Sequence, residues 1–323
     1  MREFWKSVPF AGNTIVCLCA AALAVSAWGA EEMMAEVRTL HVPSTLDDTV
    51  QPCIFVEATG DEPRPLLVHL HSWSSGYDQD RQAWRDEAAK YNWHFLQPHF
   101  RGPNNRPEAC ASELARQDIL DALDYVLEHY AVDEHRVYVA GSSGGGHMTL
   151  VMAAHAPERW AAASAWCPIS DLFAWHRENV ESGRKYAEDI ELCVGGTPGE
   201  SDEVDAQLRY RSPLYHLEKA EGLPLDIATG IHDGHTGSVP IHHTLRAFNV
   251  MAGVYGAAAV TDDEIARLSR RELLETDEEQ DPSFDRAVHL RRYAGPCRVT
   301  IFEGGHEGLP KPALAFLARY ARE

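Results

Sequence analysis

The chain has 323 residues, 45% hydrophobic and 24% charged, and 49 acidic against 29 basic residues give a net charge of −20. That much apolar material excludes a largely disordered chain, and the strong negative charge argues against nucleic acid or an anionic membrane surface as a partner. After residue 30 there is no run of about 18 apolar residues, which excludes a polytopic membrane protein.

At the N-terminus, Arg2 and Lys6 precede the apolar run Thr14–Ala27, and Val25-Ser26-Ala27 and Ala27-Trp28-Gly29 both have small residues two apart. This order of charge, apolar core and small-x-small predicts a secretory signal over residues 1–29. The mature protein is then expected to be secreted or periplasmic, without membrane attachment. Neither Cys17 nor Cys19 follows a small residue, so no lipoprotein anchor is expected. Five cysteines remain beyond the signal: Cys53, Cys110, Cys167, Cys193 and Cys297. Five is odd, so at least one has no partner within the chain, and the absence of C-x-x-C argues against a zinc ribbon or a thioredoxin-type site.

Short apolar runs predict strands at 37–42, 53–57, 65–71, 93–97, 136–140, 160–166, 224–229 and 298–302. Helical spacing is read over 79–90 and, behind a Ser112 cap, to Tyr130, and another helix follows the glycines at 144–146. Strands alternating with helices point to an α/β fold with a mostly parallel sheet. Residues 30–323 read as one domain. Two stretches look like additions to it. Leu172–Tyr210 is polar and rich in Trp, Glu and Gly, as a cover over a site would be. Thr261–Leu290 holds a Thr261/Glu264 capping box and the acidic run ETDEEQD, expected to be solvated surface.

The chemistry concentrates at three strand ends. The strand RVYVA runs into Gly141-Ser142-Ser143-Gly144-Gly145, a G-x-S-x-G with Ser143 at its centre. A strand-to-helix turn of this kind lifts a serine hydroxyl above the sheet and aims helix N-terminal amides at it. Ser143 is the candidate nucleophile and Gly144 N–H a candidate oxyanion donor; Ser142 is the weaker candidate. A serine nucleophile needs a base, and the base needs a carboxylate to orient it. Asp233 ends the strand PLDIATG, and His306 lies on the glycine-flanked loop after RVTIF. The order Ser143, Asp233, His306 is the one such a fold uses. Asp226, Asp171 and His235 are lesser competitors. The loop His71-Ser72-Trp73 follows the third strand, where the second oxyanion amide is expected, with Trp73 first and Ser72 next. His69 and His71, two apart, admit a metal pair, but no carboxylate–histidine continuation follows, so no metal or cofactor is expected. His71 is read as a structural support under that loop. Trp166 and Trp175, beside a strand end, are the expected substrate contacts, with Arg184 and Tyr186 as alternatives.

With VYVAGSSGGG, GIHDGHTGSVP and FEGGHEG in place, residues 60–320 resemble the α/β-hydrolase superfamily. The stretch from Arg211-Ser212-Pro213-Leu214 into LPLDIATGIHDGHTGSVP is similar to the prolyl-oligopeptidase catalytic domain. Only about 35 residues lie between the signal and the third strand, too few for the propeller that family peptidases carry N-terminally. A lone exported catalytic domain looks more like the acetylxylan and feruloyl esterases. The resemblance therefore implies a serine hydrolase acting on an ester of a small molecule or polysaccharide, with a small serine peptidase as the alternative.

Overall fold

The computed structural model describes residues 36–274 and 281–323. The expected signal over 1–29 and most of the acidic run lie outside those residues. In chain order the elements are β1 (Val37–Pro43), β2 (Val50–Val56), β3 (Arg64–Leu70), α1 (Gln82–Lys90), β4 (His94–Pro98), α2 (Glu113–His129), β5 (Val132–Ser142), α3 (Gly144–His155) and β6 (Ala162–Trp166). Then follow α4 (Leu172–Glu181), α5 (Tyr186–Val194), α6 (Asp202–Arg211), β7 (Leu225–Gly230), α7 (His242–Tyr255), α8 (Asp262–Ser269), β8 (Val288–Ala294), β9 (Cys297–Phe302) and α9 (Pro310–Leu317). Among the described residues no helix is long and apolar enough to cross a membrane.

The strands form one sheet in the order β1-β2-β4-β3-β5-β6-β7-β9-β8. Its centre, from β4 through β9, is parallel, while β1, β2 and β8 add antiparallel edges. This is the mostly parallel α/β sheet expected from the alternation of elements. The period-two alternation of side chains divides β3 between two cores. Leu66, Val68 and Leu70 pack with Ile119, Leu123 and Val126 of α2 and Leu245, Phe248 and Met251 of α7. Leu67 faces the other way, with Trp84 of α1 and Leu314, Phe316 and Leu317 of α9. Both faces are covered, which is why these strands read as continuous apolar runs.

Strand β8 was not anticipated. Its sequence, VHLRRYA, carries two arginines and lies at the sheet edge, where charge is tolerated and hides the strand signal. The capping box forms as read: Thr261 caps α8, and Glu264 returns to the Thr261 amide at 2.8 Å. The last residue of the acidic run, Asp281, is not simply solvated; it pairs with Arg291 at 2.7 Å.

A third apolar cluster belongs to the added helices. Leu172 and Trp175 of α4, Ile190, Cys193 and Val194 of α5, and Val204 and Leu208 of α6 pack around Trp73, Cys110 and Val239. The Leu172–Tyr210 stretch thus has its own small core, seated on the loops after β3 and β7.

Candidate active site

Ser143 is the hinge between β5 and α3. Its backbone sits at φ 61°, ψ −121°, a left-handed conformation that costs a non-glycine residue roughly 1–3 kcal/mol. The surroundings hold it there: its N–H donates to the Trp166 carbonyl at 2.8 Å, and its own carbonyl accepts from His147 N–H at 2.8 Å. A Cβ on Gly144 would collide with the Trp73 amide, and one on Gly145 with the Leu70 carbonyl. The glycines are therefore the condition for α3 to start against the β3 loop, and that approach brings the Trp73 and Gly144 backbones together. No protein acceptor meets the Trp73 amide among the described residues.

The loop carrying Trp73 is fixed by part-buried polar groups. Ser72 N–H donates to Gln79 Oε1 at 2.9 Å, Arg81 donates to the same oxygen at 2.7 Å, and Asn104 N–H donates to the Trp73 carbonyl at 2.8 Å. His71 supports the loop from below, its Nε2 lying 2.7 Å from the His99 carbonyl and its ring stacked on Phe100 at 3.8 Å. Burial pulls His71 down to about 4, so its imidazole is neutral. His69 packs separately, against Trp84 and Phe95. β3 ends between the two histidines, and they do not form a pair.

His306 Nδ1 lies 2.8 Å from Asp233 Oδ2. The Asp233 side chain is fully buried and accepts three further hydrogen bonds: Thr229 Oγ1 at 3.2 Å, Gly234 N–H at 2.9 Å and Val239 N–H at 3.2 Å. A carboxylate oxygen accepting at this distance fixes the proton on Nδ1 and leaves Nε2 with its lone pair. The loop bearing His306 is seated against the elbow from both sides. Cys167, next to Trp166, donates its Sγ–H to the Glu307 carbonyl at 3.1 Å, and Gly308 lies against Ser142 Oγ. Burial pushes the Cys167 thiol well up, so it serves as a support and not as a nucleophile. The sequence reading had given Cys167 no role; its place just after a strand end was the available signal.

Two expectations are corrected. Trp166 and Trp175 are 0% and 1% exposed and have no surface to offer a substrate. Trp166 is a core residue of β6 packed on Phe284 and Phe302, and Trp175 lies between Trp73 and Tyr186. Their part is indirect: Trp166 holds Ser143 through its carbonyl, and Trp175 Nε1 donates to the Ser238 carbonyl at 2.9 Å. The alternatives Arg184 and Tyr186 do reach open space. With Lys185, Thr236, Ser238 and His306 they line an open cavity of about 520 Å³. Asp226, the lesser acid, is spent elsewhere in a buried pair with Arg298 at 2.7 Å.

Among the described residues two groups place metal-type donors within 4.8 Å of one another: Cys167, Asp233 and His306, and Glu178, His242 and His243. In the first the histidine proton already bridges to the carboxylate. In the second both histidine Nε2 atoms bond to Glu178, at 2.6 and 3.1 Å.

A parallel α/β sheet, a strained serine between strand and helix, and an Asp–His pair on later loops define a serine hydrolase of the α/β-hydrolase fold. The chain belongs to the prolyl oligopeptidase family, whose model matches residues 91–262. It is 30% identical over 127 residues to acylamino-acid-releasing enzyme 2 of Oryza sativa subsp. japonica, which is 37% of this chain and 16% of that protein. It is 38% identical over 63 residues to acetylxylan esterase A of Emericella nidulans, 20% of this chain and 21% of that one. These matches span less than a quarter of the relatives' own lengths. The fold is similar to that of Pyrococcus horikoshii acylaminoacyl peptidase, with a TM-score of 0.64 at 15% identity over 90% of this chain and 43% of that one.

Proposed function

We propose that the protein is an exported serine esterase that cleaves acyl groups from carbohydrate or a similar alcohol. The observation that carries the hydrolytic reading is the Asp233–His306 pair at the lip of an open cavity, with its supporting loop seated on the Ser143 elbow. Ser143 Oγ attacks the acyl carbon while His306 Nε2 takes its proton. Asp233 holds the imidazole and stabilises the imidazolium that forms. The Gly144 and Trp73 amides donate to the oxyanion of the tetrahedral intermediate. His306 then returns the proton to the departing alcohol, leaving an acyl-enzyme. A water deprotonated by His306 attacks it, and the acid departs as Ser143 regains its proton.

The ester preference rests on the short match to an acetylxylan esterase and on the cavity beside His306. The Tyr186 ring, the Arg184 guanidinium and the hydroxyls of Thr236 and Ser238 suit a hydroxylated, sugar-like alcohol. A second reading, a peptidase releasing acylated amino acids, is favoured by the match to the acylamino-acid-releasing enzyme. Labelling with a fluorophosphonate and mapping the adduct tests the nucleophile, with Ser143 expected and labelling lost in His306→Ala. Turnover of p-nitrophenyl acetate and acetylated xylan against an N-acetylated amino-acid p-nitroanilide separates the two readings. Nitroanilide cleavage with negligible ester turnover would overturn the esterase.

A further inference from the structure

Four arginines are buried among the described residues: Arg101, Arg116, Arg211 and Arg298. Three have oxygen acceptors. Arg101 bonds to Asp47 and Asp118, Arg298 bonds to Asp226, and Arg211 donates to the carbonyls of Pro107, Ala109 and Cys110. Arg116, only 7% exposed, is the exception. Its Nη1 lies 3.4 Å from His155 Nδ1, its guanidinium sits 4.3 Å from the Tyr210 ring centroid, and its Nε is buried with no hydrogen-bond partner. No carboxylate lies within ion-pair distance of it among the described residues. Burial pulls the guanidinium below its usual range; Glu113 opposes this without forming an ion pair, and Arg211 adds to it. A buried cation with no counter-charge is costly to keep.

Arg116 forms part of the wall of a cavity of about 240 Å³ with His155 at the end of α3, Tyr210, and His216 and Lys219 from the turns after α6. No aspartate or glutamate lines it. Burial does most to lower the His155 pKa; Arg116 and Lys219 lower it further, while Glu158 and Glu113, both exposed, act against them. Because Nδ1 of a neutral His155 accepts from Arg116, its proton lies on Nε2 and is available to a ligand. The cavity is smaller than the ~300–1,000 Å³ typical of larger ligands. It lies at the opposite end of α3 from Ser143, about 18 Å along a helix of 12 residues.

We infer that this cavity is a binding site for a phosphate group, separate from the site at Ser143. Arg116 supplies the desolvated donor, Lys219 a second charge at the mouth, and His155 Nε2 a further donor; His216 gives its Nε2–H to the Arg209 carbonyl and only shapes the wall. A doubly charged tetrahedral anion satisfies the orphaned Nε–H and offsets the buried charge. Inorganic phosphate and a phosphate carried on a small molecule share this chemistry.

The test is thermal unfolding of the whole protein titrated with inorganic phosphate at constant ionic strength, with chloride as the balancing anion. A saturable rise in Tm is expected, lost in Arg116→Met and shifted in Lys219→Met to about fivefold higher concentration, the effect of one exposed charge. Lys219 is exposed, so its variant tests the site even where Arg116→Met fails to fold. Tighter binding of glycerol 3-phosphate than of inorganic phosphate would identify the carried group, and equal or weaker binding the free ion. A rise that does not saturate, or that Lys219→Met leaves unchanged, overturns the site.

Discussion

Among the carboxylate–imidazole groups of the described residues, two flank the segment from Asp233 to His243, and they are built to opposite ends. Asp233 takes one histidine, through Nδ1, and satisfies its other oxygen with backbone amides. Nε2 of His306 is left at an open cavity. Glu178 takes two histidines, and both give it Nε2. His243 is fully buried, with Nδ1 near the Ser170 amide and hydroxyl, and the unpartnered Nδ1 of His242 is itself buried, so neither ring presents a free nitrogen to solvent. The first arrangement spends the protonated nitrogen on the carboxylate and keeps the basic one for chemistry. The second spends the same nitrogens on joining α4 to α7. A His–carboxylate contact alone therefore does not mark a catalytic site; what matters is which nitrogen the contact leaves over.

The comparison breaks first at the nucleophile. Ser143→Ala is expected to lower kcat by a factor on the order of 10⁶, while Ser142→Ala, behind the elbow, leaves it within severalfold. Steady-state ester hydrolysis decides this, and a reversed pattern assigns the elbow to the wrong serine. Next comes the carboxylate. Asp233→Asn should cost about 10⁴ in kcat with little change in Tm, because the imidazole proton moves to the wrong nitrogen. Similar kinetics in Glu178→Gln would erase the distinction between the two groups.

Asp226 sharpens the comparison from within the same strand. Its carboxylate is fully buried against Arg298 and Ser164. Asp226→Asn should therefore cost stability, about 3 kcal/mol for a buried arginine left with only its 3.5 Å contact to Asp281, and leave kcat in the folded fraction unchanged. Chemical denaturation with parallel activity measurements separates the two effects. Glu178→Ala should be milder, ~1–3 kcal/mol, from two histidines left without their acceptor.

The smallest effect is in pH. Burial pushes the Glu178 carboxyl upward, but hydrogen bonds from His242 and His243 outweigh it and bring it to about 2. A depressed folded value means that the unfolded chain binds the proton more readily. This group's stabilisation is complete above about pH 4.5, the ordinary value, and is lost as pH falls toward 2. Tm measured across that window should fall more steeply in the wild type than in Glu178→Gln; parallel curves would deny the group its role.

Much of the sheet was legible because strands buried on both faces write themselves as apolar runs. β8 escaped because its adjacent arginines break the apolar pattern, and the partners that accommodate them, Asp281 for Arg291 and Glu264 for Arg292, come from segments the strand's own sequence does not show. The order of Ser143, Asp233 and His306 was legible because each stands at a strand end bracketed by glycine. The aromatic contacts were not: a tryptophan beside a strand end reads the same whether it points into the core, as Trp166 does, or into a cleft.

By itself the sequence determined the alternation of elements, the glycine-bounded elbow and the chain order of the three candidate residues. These are local properties, set by side-chain period and backbone freedom. Only the tertiary structure decided which tryptophans are buried, that Cys167 supports the His306 loop, that Arg184 and Tyr186 border the cavity, and that Arg116 is a buried cation without a counter-charge. Each depends on which distant segment packs against the residue. Pattern along the chain carries no record of that, because burial and hydrogen-bond partners are properties of the packed neighbours.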